Sequence, residues 1–200
     1  MTTVRQITSA LKKEFGGSHL ISPSMCIVMQ TPHTLKIVTF VSSITGGKYC
    51  SITDRPLFNA SSTSGLMYGS RINNPNGSNP FWHLGVLSAS ECVSYLIGSI
   101  NSSLNDLDAL NSHLGQRVLQ NCRDFTLLLD VAIYKALTSK PNEAISLLTE
   151  LEDLDISYEW QTSTKQSGIE LKKIMSEQDE SHVKGWITKR ENNVRAMFGL

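Results

Sequence analysis

Near its start the chain places apolar residues at helical spacing. Val4, Ile7, Leu11 and Phe15 recur three and four residues apart among polar neighbours, which predicts a helix over residues 3–15 with one apolar stripe. Thr2 or Thr3 can cap its start, and Gly16-Gly17 closes it after Lys12 and Lys13. The period then shifts. "MCIVMQ" (25–30) and "TLKIVTFVSS" (34–43) are rich in β-branched residues and flank a short turn with Pro32 and His33, which predicts a hairpin. The second strand is apolar on both faces and is expected at the centre of a sheet. After Gly46-Gly47, "KYCSI" reads as a third strand.

Helical spacing returns at Ser88, which forms a capping box with Glu91. A helix is predicted over 89–104, with Cys92, Val93, Leu96 and Ile100 inward. "GQRVLQNCRDFTLLLDVAIYKALTSK" reads as one long helix, apolar on so many sides that it belongs at the centre of a bundle. Pro141 suits a helix start, and Ala144, Ile145, Leu148 and Leu151 mark the buried side of the helix that follows. The joint "YKALTSKPNEAISLLTEL" resembles the turn of tetratricopeptide-type repeats. No second copy follows at the 34-residue period of those repeats, so an ordinary helical hairpin is expected. "DISYEW" alternates polar residues with Ile156, Tyr158 and Trp160, as a short strand or an extended connector would. Helices over about 168–178 and 181–198 complete the chain.

The expected fold is α+β: an N-terminal helix with a small antiparallel β-meander, followed by a mainly helical C-terminal bundle. The expected divisions are a helix-and-meander module (1–57), a long polar arm with a docking segment (58–87) and a helical part (88–200). The first and last are compatible with one continuous domain. Within the arm, 15 of the 22 residues from Asn59 to Pro80 are Asn, Ser, Gly or Pro, and Arg71 carries the only charge. Leu66, Met67, Tyr68 and Ile72 interrupt this tract with anchors that a slack tether does not need. The expectation is that 66–72 grips a surface while 73–79 forms an exposed tip.

Net charge is zero, but the charges are segregated. Residues 1–87 hold seven Lys/Arg against two Asp/Glu (+5), 88–140 four against five (−1), 141–180 three against ten (−7), and 181–200 four against one (+3). Basic ends around an acidic stretch suit complementary contacts with another subunit or a second copy. The acids of "ELEDLD" read as a solvated face or a dock for a basic partner.

Candidate chemistry narrows the reading further. The five histidines show no metal-ligand spacing, and Cys26, Cys50, Cys92 and Cys122 form no CxxC. Neither metal nor cofactor is expected. There is no G-x-S-x-G elbow. Gly65 and Gly69 in "TSGLMYGSR" are too close together, and lack the following Lys, for a phosphate loop. No apolar run approaches the roughly 20 residues of a membrane span, and the start lacks a signal-peptide core, so an intracellular protein without a membrane partner is expected.

The leading expectation is therefore a non-enzymatic assembly or adaptor subunit, with Leu66, Met67, Tyr68, Arg71, Ile72 and Trp82 contacting other protein subunits or copies of the chain. The abundance of Ser, Asn and Thr extends this to a viral or phage particle component. The alternative is a small nucleic-acid-binding protein using Arg5, Lys12, Lys13, Lys36, Lys48, Arg55 and Arg71, with Tyr49, Tyr68, Phe81 and Trp82 available for stacking. Last comes an enzyme built around Ser70, Arg71 and His83.

Overall fold

The computed structural model describes residues 1–16, 18–44, 46–58, 68–77, 79–118 and 124–200. It has the expected α+β architecture: helix α1 (Val4–Glu14), strands β1 (His19–Ser22), β2 (Met25–Gln30), β3 (Thr34–Ser42), β4 (Lys48–Pro56), β5 (Tyr68–Ile72) and β6 (Phe81–Trp82), then helices α2 (Ala89–Ser102), α3 (Asp106–Val118), α4 (Phe125–Leu137), α5 (Pro141–Asp153), α6 (Glu159–Glu177) and α7 (Glu180–Met197). The chain divides into two compact units, Met1–Arg55 with Met67–Ala109, and Pro56–Leu66 with Leu110–Leu200.

The first unit is a sheet ordered β1-β2-β3-β4-β5, with β6 also paired to β4. Helix α1 begins where Thr3 accepts from the Gln6 backbone N–H, while the Gln6 side chain accepts from Thr3 N–H. Its apolar stripe, Ile7 and Leu11, packs with Cys92, Leu96 and Ile100 of α2 over one face of the sheet. That face presents Cys26, Val28, Val38, Phe40, Cys50, Ile52 and Trp82. Trp82 sits between Phe40 and Tyr95 in edge-to-face contacts of 5.7 and 6.0 Å, and its indole N–H donates to the Ile72 carbonyl at 3.1 Å.

At the end of the same face, Lys36 Nζ lies 2.9 Å from Asp54 Oδ1 and 2.9 Å from the Leu104 carbonyl, and the Lys36 side chain is 1% exposed. A lysine enters so dry a site only with such partners.

Three strands lie outside the periodicity reading, β1, β5 and β6. Strand β5 runs through the polar arm, with Cys50 opposite Ile72 and Asp54 opposite Tyr68. A Cβ on Gly69 would come 2.3 Å from the Ile52 carbonyl oxygen, so only glycine lets β5 approach β4 this closely. Asn74 N–H donates to the Asn79 carbonyl and Gly77 N–H to Asn74, closing a turn whose Asn73, Asn76 and Gly77 are exposed.

The second unit is helical. The predicted single helix over 115–140 is instead two elements, because Asp124 accepts from Thr126 and Leu127 N–H and starts a new helix there. Every residue of α4 from Phe125 to Ile133 is buried, as expected of a central helix. Helix α5 packs on α4 after Thr138–Lys140, and α6 on both. Gly168 allows the close approach of α6 to α5, since a Cβ there would meet Leu151 Cδ2 at 2.4 Å. Helix α6 begins at Glu159, earlier than predicted, because the Gln161 side chain accepts from the backbone N–H of Ser157 and Tyr158 at 2.6 and 2.9 Å. "DISYEW" is thus a connector running into a helix. Arg190 of α7 donates to the Phe58 carbonyl and to Ser167 Oγ, and its burial draws its pKa below the ordinary arginine value.

Candidate interaction surfaces

In the first unit, strand alternation places Tyr49, Ser51 and Thr53 on the sheet face opposite Cys50 and Ile52. Register then sets Phe81 beside Tyr49 and Arg71 beside Ser51 on that same face. The Tyr49 and Phe81 rings lie 4.5 Å apart at 40°, and the exposed Arg71 guanidinium lies 3.9 Å over the Tyr49 ring. Adjacent β6 residues therefore divide their labour: Trp82 turns inward and Phe81 turns outward. Among the described strands Asp54 is the only carboxylate, and it lies on the helix-covered face with Lys36.

Beneath the start of α1, Val4, Arg5, Lys48, Trp82, His83 and Leu84 line an open cavity of about 620 Å³. Lys48 Nζ there donates to Ser42 Oγ at 2.6 Å. The cavity brings His83 to Arg5 and Lys48, whereas Arg71, which lies over Tyr49, is not among its lining residues. The grouping of His83 with Arg71 expected for an enzyme is not assembled by this cavity.

Several sequence-predicted residues take other roles. Trp82 is 0% exposed and belongs to the core, packed between Phe40 and Tyr95, and is not a free surface side chain. Lys36 and Arg55 are each 1% exposed and are withdrawn from any phosphate backbone. Arg5, Lys12, Lys13 and Arg71 are exposed and Lys48 half-buried, against the exposed Glu14. Ile72 packs against the core, while Leu66 and Met67 lie outside the described residues, as does Cys122. Tyr68 and Arg71 stand in β5, bound to their own sheet. Among the described residues no group of His, Cys, Asp and Glu could hold a metal ion, and no helix is long and apolar enough to cross a membrane.

In the second unit the connector from α5 to α6 exposes three large side chains in alternation: Ile156 (48%), Tyr158 (64%) and Trp160 (52%). Trp160 also touches Phe125 edge-on, with centroids 6.5 Å apart. Glu152 is paired with Lys172 at 2.7 Å, and Lys165 donates to the Leu154 carbonyl at the base of the connector. Among the described residues the exposed Asp153, Asp155 and Glu159 have no ion-pair partner and flank the two aromatics in sequence. Alternation in "DISYEW" marked these residues in the sequence, but not that both aromatics would face solvent.

No protein-family model, curated protein or solved structure matches the chain.

Proposed function

We propose that the chain is a non-enzymatic assembly or adaptor subunit that docks a basic protein surface on the connector from Ile156 to Trp160. The supporting observation is the exposure of Ile156, Tyr158 and Trp160 together, in a stretch that also carries the exposed carboxylates Asp153, Asp155 and Glu159. Tyrosine and tryptophan dominate binding energy at protein interfaces, and an isolated chain gains nothing by leaving both in water. The Gln161 clamp on Ser157 and Tyr158 holds the segment in one shape before binding, which lowers the entropy cost of docking. The acids select for Lys and Arg around the partner's apolar recess. A second copy is one such partner, since exposed Arg5, Lys12, Lys13 and Arg71 make its own first unit basic. A composition rich in Ser, Asn and Thr extends the proposal to a component of a viral or phage particle.

Light scattering at about 50 and 500 mM salt tests the reading. The expected result is self-association at low salt that falls away at high salt. A chain that is monomeric at both salts contradicts assembly from copies of itself.

A further inference from the structure

The first unit carries a surface that the connector of the second does not explain. We infer that the sheet face bearing Tyr49, Phe81 and Arg71 binds single-stranded nucleic acid.

Three neighbouring strands each contribute one group. Tyr49 and Phe81 form a tilted ring pair at 4.5 Å, and Arg71 lies 3.9 Å over Tyr49. None of the three belongs to the core cluster, whose aromatics Phe40 and Trp82 occupy the other face. Gly47 sits against Phe81 and His83: a Cβ there would press to 3.2 Å from Phe81 Cδ1, so glycine leaves that ring room.

The Phe81 ring and the Arg71 guanidinium laid over Tyr49 offer planes on which unpaired bases stack, whatever their sequence. A guanidinium held flat by a tyrosine is ordered before it meets a phosphate and can pair with it through two N–H groups. The charge pattern favours the same ligand. No described strand places a carboxylate on this face, and Asp54 on the other face is already paired with Lys36. An acidic peptide would use Arg71 but leave the two rings without a role. A duplex keeps its bases stacked inside and cannot use them either.

Fluorescence anisotropy with labelled oligo-dT, oligo-U and a DNA duplex tests the inference on the full chain. Single strands are expected to bind with Kd near about 10 µM at low salt, weakening steeply between about 50 and 200 mM. Arg71→Lys keeps the charge but loses the planar fork, and Phe81→Leu keeps the apolar bulk but loses the ring face. Each is expected to weaken binding at least about fivefold, the low end for one stacked base. Circular dichroism and Tm confirm that both variants fold. Lys12→Glu/Lys13→Glu on α1 is expected to cost less than either. Preference for oligo-U over oligo-dT identifies RNA as the source of the ligand, and the reverse identifies DNA.

Absence of binding at about 100 µM chain overturns the inference. So does equal affinity for the duplex, complete competition by a poly-Glu peptide, or binding that Arg71→Lys and Phe81→Leu leave intact.

Discussion

Asp54→Ala should be among the most damaging single substitutions in the first unit. The carboxylate lies 2.9 Å from Lys36 Nζ, and their side chains are 6% and 1% exposed. Removing it leaves an ammonium in a dry site, still donating to the Leu104 carbonyl but without its counter-charge. Breaking one side of a buried pair costs about 3–5 kcal/mol, against a total stability of about 5–15 kcal/mol for a folded chain. With a urea m-value near 2 kcal/mol/M, the midpoint should fall by about 2 M. Trp82 packs in the same unit, so an early fluorescence change should report the loss. The control is Lys36→Met/Asp54→Leu, which removes both charges and is expected to fall within about 1 kcal/mol of the parent or above it. If Asp54→Ala costs less than about 1 kcal/mol, Lys36 reaches water and the dry-site argument is wrong.

Other outcomes follow from the same packing. Gly168→Ala should destabilise the second unit by about 1–3 kcal/mol in thermal unfolding, because the new methyl meets Leu151, itself fully buried; an increase in Tm contradicts the close approach. Burial pushes the Cys26 and Cys92 thiols up to about 11 and raises Cys50 as well, so a Cys122→Ser chain should resist iodoacetamide at pH 8 until denatured. Asp179 caps α7 by accepting from Ser181 Oγ and from His182, contacts that hold its carboxyl well below the ordinary range. A depressed folded pKa adds stability that is present above about pH 4 and lost as pH falls below it, so Asp179→Ala should flatten the acid limb of an α7 helicity profile. An unchanged limb contradicts that role.

Where local chemistry and long-range packing agree, the fold was legible from residues alone. The stripe of α1, the Ser88–Glu91 capping box and the β-branched runs of β2 and β3 each carry their own signal, and all are present. Strand β5 carries none. Its pairing uses backbone groups, and the Gly69 that permits it reads as loop composition among Asn and Ser. Helix α3 was missed because "DLDALNSHLGQRV" interleaves its few leucines with polar residues. For the candidate surfaces, residue type was informative and orientation was not. Lys36, Arg55 and Trp82 look like surface chemistry in a one-dimensional reading, yet the sheet turns them inward. Phe81 and Trp82 are adjacent, and only strand alternation assigns one to the surface and the other to the core.

Hydrogen exchange as a function of chain concentration tests most directly whether the aromatic connector with its exposed acids is the docking surface. As copies associate at low salt, amides from Ile156 to Gln161 should gain protection, and Tyr158→Ser/Trp160→Ser should abolish both the protection and the association. Association with no added protection at these amides, or association that survives the double substitution, contradicts the account.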